Sequence, residues 1–470
     1  MMGFLVLSLG CSSGTVGDSP DSGAGLAPSG NGGTHPPEAP DSGSAGGMQP
    51  TADAQPPEAA EPRLDGAAPP VDVGGGDGAV GDDGDAGDGA VSPDGPVASG
   101  ANVRMNDDNG TAGHNEVSMA AVNKLDGAIV AGWNDRRTGV NRCAFTVSRD
   151  GGKTWDANIV VASLGKGITG DPTVTVDEAG NLYVVCMDYG TNQIRMSHST
   201  DAGVTWSPWR VVRGAPDKPW IAGVRDGTLY LTWLGSPGGF SRSLDRGMTW
   251  EPMKSLGAFN GGTAISVGNG GLVHIAYVQG GSMLYVRSKD YGETLEPGRN
   301  LGPVGRFCFN CTPRNFAITG SGSDVTGQIV AVTWSSTLMV NGSDGDDDVW
   351  VMVSKDGGDN WTPVLRANSN TTPSRQFQSS AAVDASGAVR LTWTDFRNGG
   401  LNATYVATAR DPYTQFGPNI EITDTRAKPP NNLGDYKAIV IQGTDALVGW
   451  TDARRGHSDV YFARVPLARF

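Results

Sequence analysis

Five near-copies of one short string constrain the fold of this chain: SRDGGKTW (148–155), STDAGVTW (199–206), SLDRGMTW (243–250), SKDYGETL (288–295) and SKDGGDNW (354–361). A turn that keeps returning belongs to a repeat architecture, and the period of the unit around it, roughly 35 to 50 residues, falls in the range of propeller blades. Each residue type in the string has a folding reason. The Asp accepts hydrogen bonds from backbone N–H groups of its own turn. The Gly admits a backbone conformation closed to residues with a side chain. The Trp offers a large apolar plate to pack between units. The repeated Asp is therefore read as scaffold, although it is the most repeated acid in the chain.

Short β-branched and aromatic runs surround each box turn. Unit one has VSMAAV, AIVAGW and AFTVSRD, and unit two has PTVTVD, NLYVVCMD and QIRMSHS. Units three to five continue with TLYLTW, LVHIAYV with MLYVRS, and IVAVTW with VWVMVS. Units six and seven (SSAAVD, AVRLTWTD, ATYVATA; YKAIVIQ, ALVGWTD, DVYFARV) keep the strands and lack the box. Gly and Asp turns separate the runs, and no helix pattern follows residue 100. The fold class is all-β, a β-propeller with seven blades of four strands. Six blades with an irregular closing element is the alternative. A pair of β-sandwiches would have no need of one turn five times. The segment ANVRMND (101–107) is expected to supply the outer strand of blade seven and lock the ring, since an open ring exposes unpaired edges.

Ahead of this array the composition changes. Residues 12–100 contain no Trp, Tyr or Phe and are dominated by Gly, Pro, Ala, Ser and Asp. Such a segment cannot bury enough apolar surface to offset chain entropy and reads as a disordered tether. Residues 1–100 hold twelve Asp and three Glu against one Arg, a charge of −14 within a chain of −15, so the repeat region is close to neutral. With no basic stripe, nucleic acid is not an expected partner. The start, MMGFLVLSLGC, ends an apolar run at Gly10-Cys11 and is similar to a bacterial lipoprotein signal, with Cys11 acylated after cleavage; a plain secretory signal is the other reading. The division is 1–11 signal, 12–100 tether, 101–470 propeller. The expected location is the bacterial cell surface or outer membrane, with a lipid anchor as the only membrane contact, or else secretion. No later run is long and apolar enough to span a bilayer.

Four further cysteines remain, Cys143, Cys186, Cys308 and Cys311. In an oxidising compartment an even number suggests disulfides. CFNC (308–311) can close a small loop, and Cys143 with Cys186 is the second candidate pair.

In an antiparallel blade, loops alternate between two faces. The box turns lie on one face. The ends of the second strands, WNDRR (133–137), CMDYG (186–190), WTDFR (393–397) and WTDAR (450–454), lie on the other. So do the starts of the innermost strands: HNEV (114–117), GDPT (170–173), PDKPW (216–220), PRNF (313–316) and GDYK (434–437). Together they bring Glu116, Asp135, Arg136, Asp171, Asp188, Asp217, Arg314, Asp395, Arg397, Asp435, Tyr436, Asp452 and Arg454 toward one mouth. The acids can protonate a leaving group or activate a nucleophile, and the arginines can grip a carboxylate in bidentate fashion. The catalytic candidates are Glu116, Tyr436, Asp135 and Asp171, and the substrate-binding candidates are Arg136, Arg314, Arg397 and Arg454. The competing reading of W-x-D-x-R is that Asp and Arg pair to tie adjacent blades. Glu116 and Arg314 are the less repeated residues and so the more informative ones. No cofactor or zinc site is expected with five histidines; the loop DGDDD (344–348) offers alternating acids suited to Ca²⁺, or a solvated acidic turn.

The five boxes, the NEV…WND start and the GDY…GWTDAR…DVYFARV end resemble the bacterial sialidase-like, Asp-box propeller superfamily over residues 101–470. The superfamily contains exo-sialidases, other glycan-cleaving enzymes, lyases and proteins without catalysis. The resemblance implies a carbohydrate or glycoprotein partner and a monomer. Sialidases grip the sugar carboxylate with three arginines and use a tyrosine nucleophile paired with a glutamate. On that pattern Arg314, Arg397 and Arg454 imitate the arginine triad, and Tyr436 with Glu116 the nucleophile pair. The chain departs from it in having ANVRMNDD (101–108) where sialidases have Arg-Ile-Pro, and in having seven units where they have six blades. The resemblance implies first a surface exo-glycosidase of retaining, sialidase-like chemistry, second a non-catalytic glycan- or protein-binding propeller, and third a polysaccharide lyase.

Overall fold

A computed structural model of the chain describes residues 101–470 apart from 124–126, 164–166, 215–216, 226, 236, 259–260, 308–310, 317 and 338–345. The signal with Cys11, the tether over 12–100, and Cys308 lie outside the described residues. The described chain forms seven four-stranded antiparallel sheets, with a single 3-10 turn at Leu467–Arg469. Blades 1 to 6 each use four strands consecutive in sequence. Their first strands are His114–Ala121, Thr169–Val176, Asp217–Gly223, Ala264–Val267, Gly320–Ser323 and Gln376–Val383, and blade 7 begins with Ala438–Gln442. First strands of successive blades touch around the ring, and that of blade 7 touches that of blade 1. They line an axial channel of about 260 Å³.

Blade 7 takes its outer strand from the other end of the propeller. Val103–Arg104 pairs antiparallel with Asp459–Pro466, placing Val103 opposite Phe462 and Arg104 opposite Tyr461. Asn106 Nδ2 donates to Asp459 Oδ1 at 2.7 Å, joining residues 353 positions apart. The seven-blade reading and closure by 101–107 both hold, and the six-blade alternative does not.

The box turns connect third to fourth strands, as their residue types require. In blade 1 the Thr154 N–H and hydroxyl donate to the two oxygens of Asp150, and the Gly152 N–H donates to Ser148 Oγ. The pattern repeats at Asp201, Asp245, Asp290 and Asp356. The Thr154 and Thr205 hydroxyls hold Asp150 and Asp201 down to about 2, and the Asn360 N–H does the same for Asp356. These three boxes therefore stay charged and bonded until pH falls toward that value. Each box aromatic packs backward onto the preceding blade. Trp206 meets Phe145 edge-on at 4.8 Å and Trp361 meets Tyr285 at 4.9 Å. Trp155 of blade 1 meets Phe462 of blade 7 at 5.3 Å, so the same contact spans the closure. Blade 7 has no box because it has no third-to-fourth turn. Blade 6 substitutes a turn in which Tyr413 (φ 53°) donates its hydroxyl to Gly387 O.

Cys143, on the third strand of blade 1, is bonded to Cys186, on the second strand of blade 2, with Cα atoms 6.2 Å apart. Cys311 is also disulfide-bonded.

The tightest point of the closure is Gly152, at φ +88°, where an added Cβ would lie 2.1 Å from Phe462 Cε1. Gly139 has a similar φ of +81° but open space around it. Gly152→Ala is expected to cost about 1–3 kcal/mol more than Gly139→Ala, since it adds overpacking to the same backbone strain. Thermal unfolding of the two variants checks this, and equal losses would remove the packing argument.

Candidate active site at the ring axis

The first strands of four blades begin with the same irregularity. Their pairing register slips between Asn115 and Ser118, Gly170 and Thr173, Asp217 and Trp220, and Phe377 and Ser380. Within each slip one residue adopts a left-handed backbone: Glu116 (φ 64°), Asp171 (φ 49°), Lys218 (φ 47°) and Gln378 (φ 55°). A bulge of this kind re-aims one side chain, at a cost of about 1–3 kcal/mol for a residue with a Cβ. Blade 7 places Gly434 (φ 81°) at its own start, and a Cβ there would meet Glu116 Cγ at 2.5 Å. Glycine lets the next residue, Asp435, reach the cluster.

Three of the four re-aimed side chains converge. Lys218 Nζ is 2.9 Å from Asp435 Oδ2, 3.4 Å from Asp171 Oδ2 and 3.5 Å from Glu116 Oε1. Arg314 grips Asp435 bidentately, at 2.9 Å from Nε and 2.7 Å from Nη2, with about half of its side chain exposed. Asn134 donates to Glu116 Oε2 at 2.9 Å and accepts the Asp171 N–H at 2.9 Å, tying blade 1 to blade 2. Tyr189 places its hydroxyl 2.7 Å from both Asp171 Oδ2 and Asp217 Oδ1. Glu116, Asp171, Lys218 and Asp435 are buried, while Asp217 and Tyr189 are half-buried.

Four carboxyls thus face two cations, and their protonation divides accordingly. Burial, together with the Asp171 and Asp435 carboxylates, outweighs Lys218 and holds Glu116 well above the usual carboxylate range. Burial also pushes Asp217 up, with Asp171 adding to it, to about 6. At Asp171 burial is overcome by the Lys218 ammonium and by hydrogen bonds from Glu116, Asp217 and Tyr189, so its carboxyl lies below the usual range. Asp435 is likewise held down against burial by Lys218 and Arg314. Burial would lower Lys218, but the acids around it, Asp171 foremost, raise it well above its ordinary value. Around this fixed cation Glu116 is biased toward its protonated form, and Asp171 and Asp435 toward ionisation.

The structure brings Glu116, Asp171 and Arg314 into this cluster, with Asp217 and Asp435. Tyr436 sits beside it with a different role. Its hydroxyl donates to Pro172 O at 3.2 Å, its ring meets Trp220 edge-on at 5.2 Å, and Lys218 Nζ lies 5.7 Å from the ring centre. Burial and the surrounding carboxylates push its phenol well above 10, so it forms a wall and a cation–π partner. Asp135 points to the strand face opposite Asn134 and accepts from Arg137 at 2.8 Å.

The W-x-D-x-R arginines form clamps between blades. Arg137 joins Asp135 to Asn158, just before its own outer strand, and to Asp107, just after that of blade 7. Arg397 joins Asp395 to Asn419 and Ser369, and Arg454 joins Asp452 to Asn102 and Asp424, at the same two places relative to their blades. Arg397 and Arg454 also stack on Tyr405 and Tyr461, at 4.4 and 4.1 Å. The clamps fall in blades 6, 7 and 1, the three that flank the closure. Counting W-x-D-x-R from Trp133 selects Arg137 for blade 1, and Arg136 has no ion pair among the described residues. The sequence reading missed Lys218, Asn134 and Tyr189. Lys218 lies inside the quoted PDKPW and Asn134 inside WNDRR, each next to an acid that drew attention instead. Of the acidic loop, Asp347 pairs with Arg375 at 3.2 Å and Asp348 with Arg366 at 2.7 Å, and among the described residues no group of three His, Cys, Asp or Glu is placed to hold a metal ion.

No family model and no curated protein matches the chain. Among solved structures it is similar to a Hadza microbial sialidase, with 17% identity and a TM-score of 0.42 over 60% of this chain and 63% of that one. It is also similar to a protein of unknown function from Dyadobacter fermentans (13% identity, TM-score 0.49, 78% of this chain and 98% of that one). A third is an alpha-L-arabinanase of Penicillium chrysogenum complexed with arabinobiose (13%, TM-score 0.44, 79% and 99%). The chain spans under two thirds of the sialidase it matches. At these identities the likeness is one of fold.

Lys218→Met keeps the side-chain length and removes the charge that holds the carboxyls together. At neutral pH it is expected to destabilise the fold by about 3–5 kcal/mol, the usual cost of breaking a buried ion pair from one side. The loss should shrink as pH falls through the carboxyl range, because the orphaned acids then take up protons in the folded state. Denaturant unfolding at neutral and acidic pH measures it; a loss independent of pH would show that Lys218 acts by packing alone.

Proposed function

We propose that this is an exported, glycan-acting propeller: a glycoside hydrolase whose general acid is Glu116. The observation that carries the reading is the buried Glu116 carboxyl set with Asp171 and Asp435 around one ammonium at the axis, in surroundings that favour its protonated form. Environments that push neighbouring carboxyls apart in this way assign acid and base roles. Glu116 gives its proton to the glycosidic oxygen as the bond to the anomeric carbon breaks. Asp171 and Asp435 supply negative charge against the positive charge that develops on the sugar, and water completes the hydrolysis. Asp171 and Glu116 share the Lys218 ammonium, at 3.4 and 3.5 Å, and Asp171 serves as the electrostatic partner of the acid.

The tyrosine chemistry of sialidases draws little support here, since the Tyr436 hydroxyl is turned to Pro172 O and Arg397 and Arg454 are committed to blade clamps. An exo-acting enzyme with one rim arginine, Arg314, fits the geometry better than one gripping a sugar carboxylate with three. The second reading, a non-catalytic glycan- or protein-binding propeller, is favoured by the mutual pairing of Lys218 and Arg314 with Asp435. The Cys143–Cys186 disulfide supports an oxidising compartment and hence export. Cys11 remains the proposed site of acylation, at the bacterial cell surface.

The full chain is expected to release fluorophore from at least one of a panel of 4-methylumbelliferyl glycosides, sialoside included. Glu116→Gln should lower kcat by about 10²-fold or more. The rate should fall as pH rises through the elevated titration of Glu116, because the acid must be protonated to act. Turnover unchanged in Glu116→Gln removes the assignment. Silence across the panel from folded protein favours the binding propeller, with lyase substrates as the remaining enzyme assay. For the anchor, Cys11→Ser should move the chain from the membrane pellet to the soluble fraction, and an unchanged pellet would clear Cys11 of that role.

A further inference from the structure

The half-buried edge of the cluster contains more acceptors than its hydrogens can serve. The Tyr189 oxygen lies 2.7 Å from Asp171 Oδ2 and 2.7 Å from Asp217 Oδ1. A phenol carries one hydrogen, so it can donate to only one of two carboxylates. The other short contact requires a proton on a carboxyl, directed back at the phenol oxygen. Three groups in a row therefore hold two protons. On the buried side the row continues, since Asp171 and Glu116 are neighbours: Lys218 Nζ lies 3.4 Å from the one and 3.5 Å from the other, and Asn134 bonds the Glu116 carboxyl and the Asp171 N–H. Exposure falls along it, from half-buried Asp217 and Tyr189 to buried Asp171 and Glu116.

We propose that Asp217, Tyr189 and Asp171 form a proton relay that carries protons from the rim of the mouth to Glu116. The inference rests on the role of Glu116 as general acid and deepens it. When Glu116 has given up its proton, Tyr189 passes its hydrogen to Asp171 Oδ2 and takes the proton of Asp217. Asp171 then returns a proton to Glu116. The negative charge left on Glu116 ends on Asp217, which is reprotonated from solvent. No bond between heavy atoms changes, and no other reactant is needed.

The charges around the row fit this direction. Lys218 faces Asp171 and Glu116 from blade 3, and its own N–H donates to Asp217 Oδ1 at 2.9 Å. Asp435 and Tyr436 face Glu116 from blade 7, with Arg314 of blade 5 behind Asp435. The ammonium of Lys218 favours ionised Asp171 as the resting middle of the row, and Asp217, which titrates at about 6, stores the proton at its outer end.

The relay is tested by two measurements on the full chain. The first needs no turnover: an infrared pH titration of carboxyl C=O bands in wild type, Tyr189→Phe and Asp217→Asn. A carboxyl titrating at about 6 is expected in wild type. It should vanish in Asp217→Asn and shift in Tyr189→Phe, because the hydrogen bond that ties the Asp217 carboxyl to the phenol is lost. Absence of that carboxyl, or indifference to Tyr189→Phe, overturns the relay whatever the enzyme does. The second uses whichever glycoside is cleaved. Tyr189→Phe should lower kcat about tenfold with KM unchanged, and added formate buffer should restore the rate as a small diffusing acid. A kcat unaffected by Tyr189→Phe, or lowered without rescue, also overturns it. Failure to turn over any glycoside sinks the hydrolase reading, and the titration then decides on its own whether Asp217 and Tyr189 share a proton with Asp171.

Discussion

Everything in this molecule hangs on a hydrogen-bonded pairing of two residues. Val103 and Arg104 complete a sheet whose other three strands end the chain. Without them the Asp459–Pro466 strand would present a bare edge, and the ring would be free to open. The contacts that reinforce the pairing are concentrated there. Trp155 packs on Phe462, Gly152 lies against the same ring, and the three arginine clamps sit in blades 6, 7 and 1. The axial cluster draws on blades 1, 2, 3, 5 and 7, so its geometry exists only while the circumference is fixed.

Within that frame the cluster is an exercise in unequal charge. Lys218 reaches residues from three other blades and is the one ammonium among four carboxyls. Such a group stabilises only because every partner is present, since each carboxylate alone would be costly to bury. The left-handed residues at Glu116, Asp171 and Lys218 add backbone strain to the same place. At the axis both unfavourable features coincide, and the left-handed residues there belong to strand bulges, whereas Ala202, Arg246, Tyr291 and Tyr413 take that backbone in turns.

The architecture was legible because it is repeated. The box turns, the seven units and closure by the segment at 101–107 follow from residue types whose reasons are local. Even the missing box of unit seven has a topological cause, a fourth strand supplied from elsewhere in the chain. The site was half legible. Glu116 and Arg314 stand out as exceptions to the repeat and Asp171 as an acid at a strand start, and the axis does collect them. Lys218 went unnoticed because nothing in DKP announces a bulge: NEV, GDP, DKP and FQS share a backbone conformation but no residue type. Tyr436 was chosen for its chemistry, yet burial decides its role, and burial of a single ring is not written in its neighbours. Arg136 was one residue off the W-x-D-x-R spacing, which Arg397 and Arg454 define.

The placement of the closing strand also settles how the propeller bears a load. Any pull on the chain ahead of residue 101 reaches the ring at Asn102, Val103 and Arg104, along the direction of the strand. The antiparallel ladder to Phe462 and Tyr461 is then loaded in shear, so its bonds share the force and do not break in succession. Asn102 adds a brace, exchanging hydrogen bonds with Asp424 and accepting one from Arg454. A propeller held by that end is gripped at its own seam, and the blade made from both ends of the ring is the one that carries the tension.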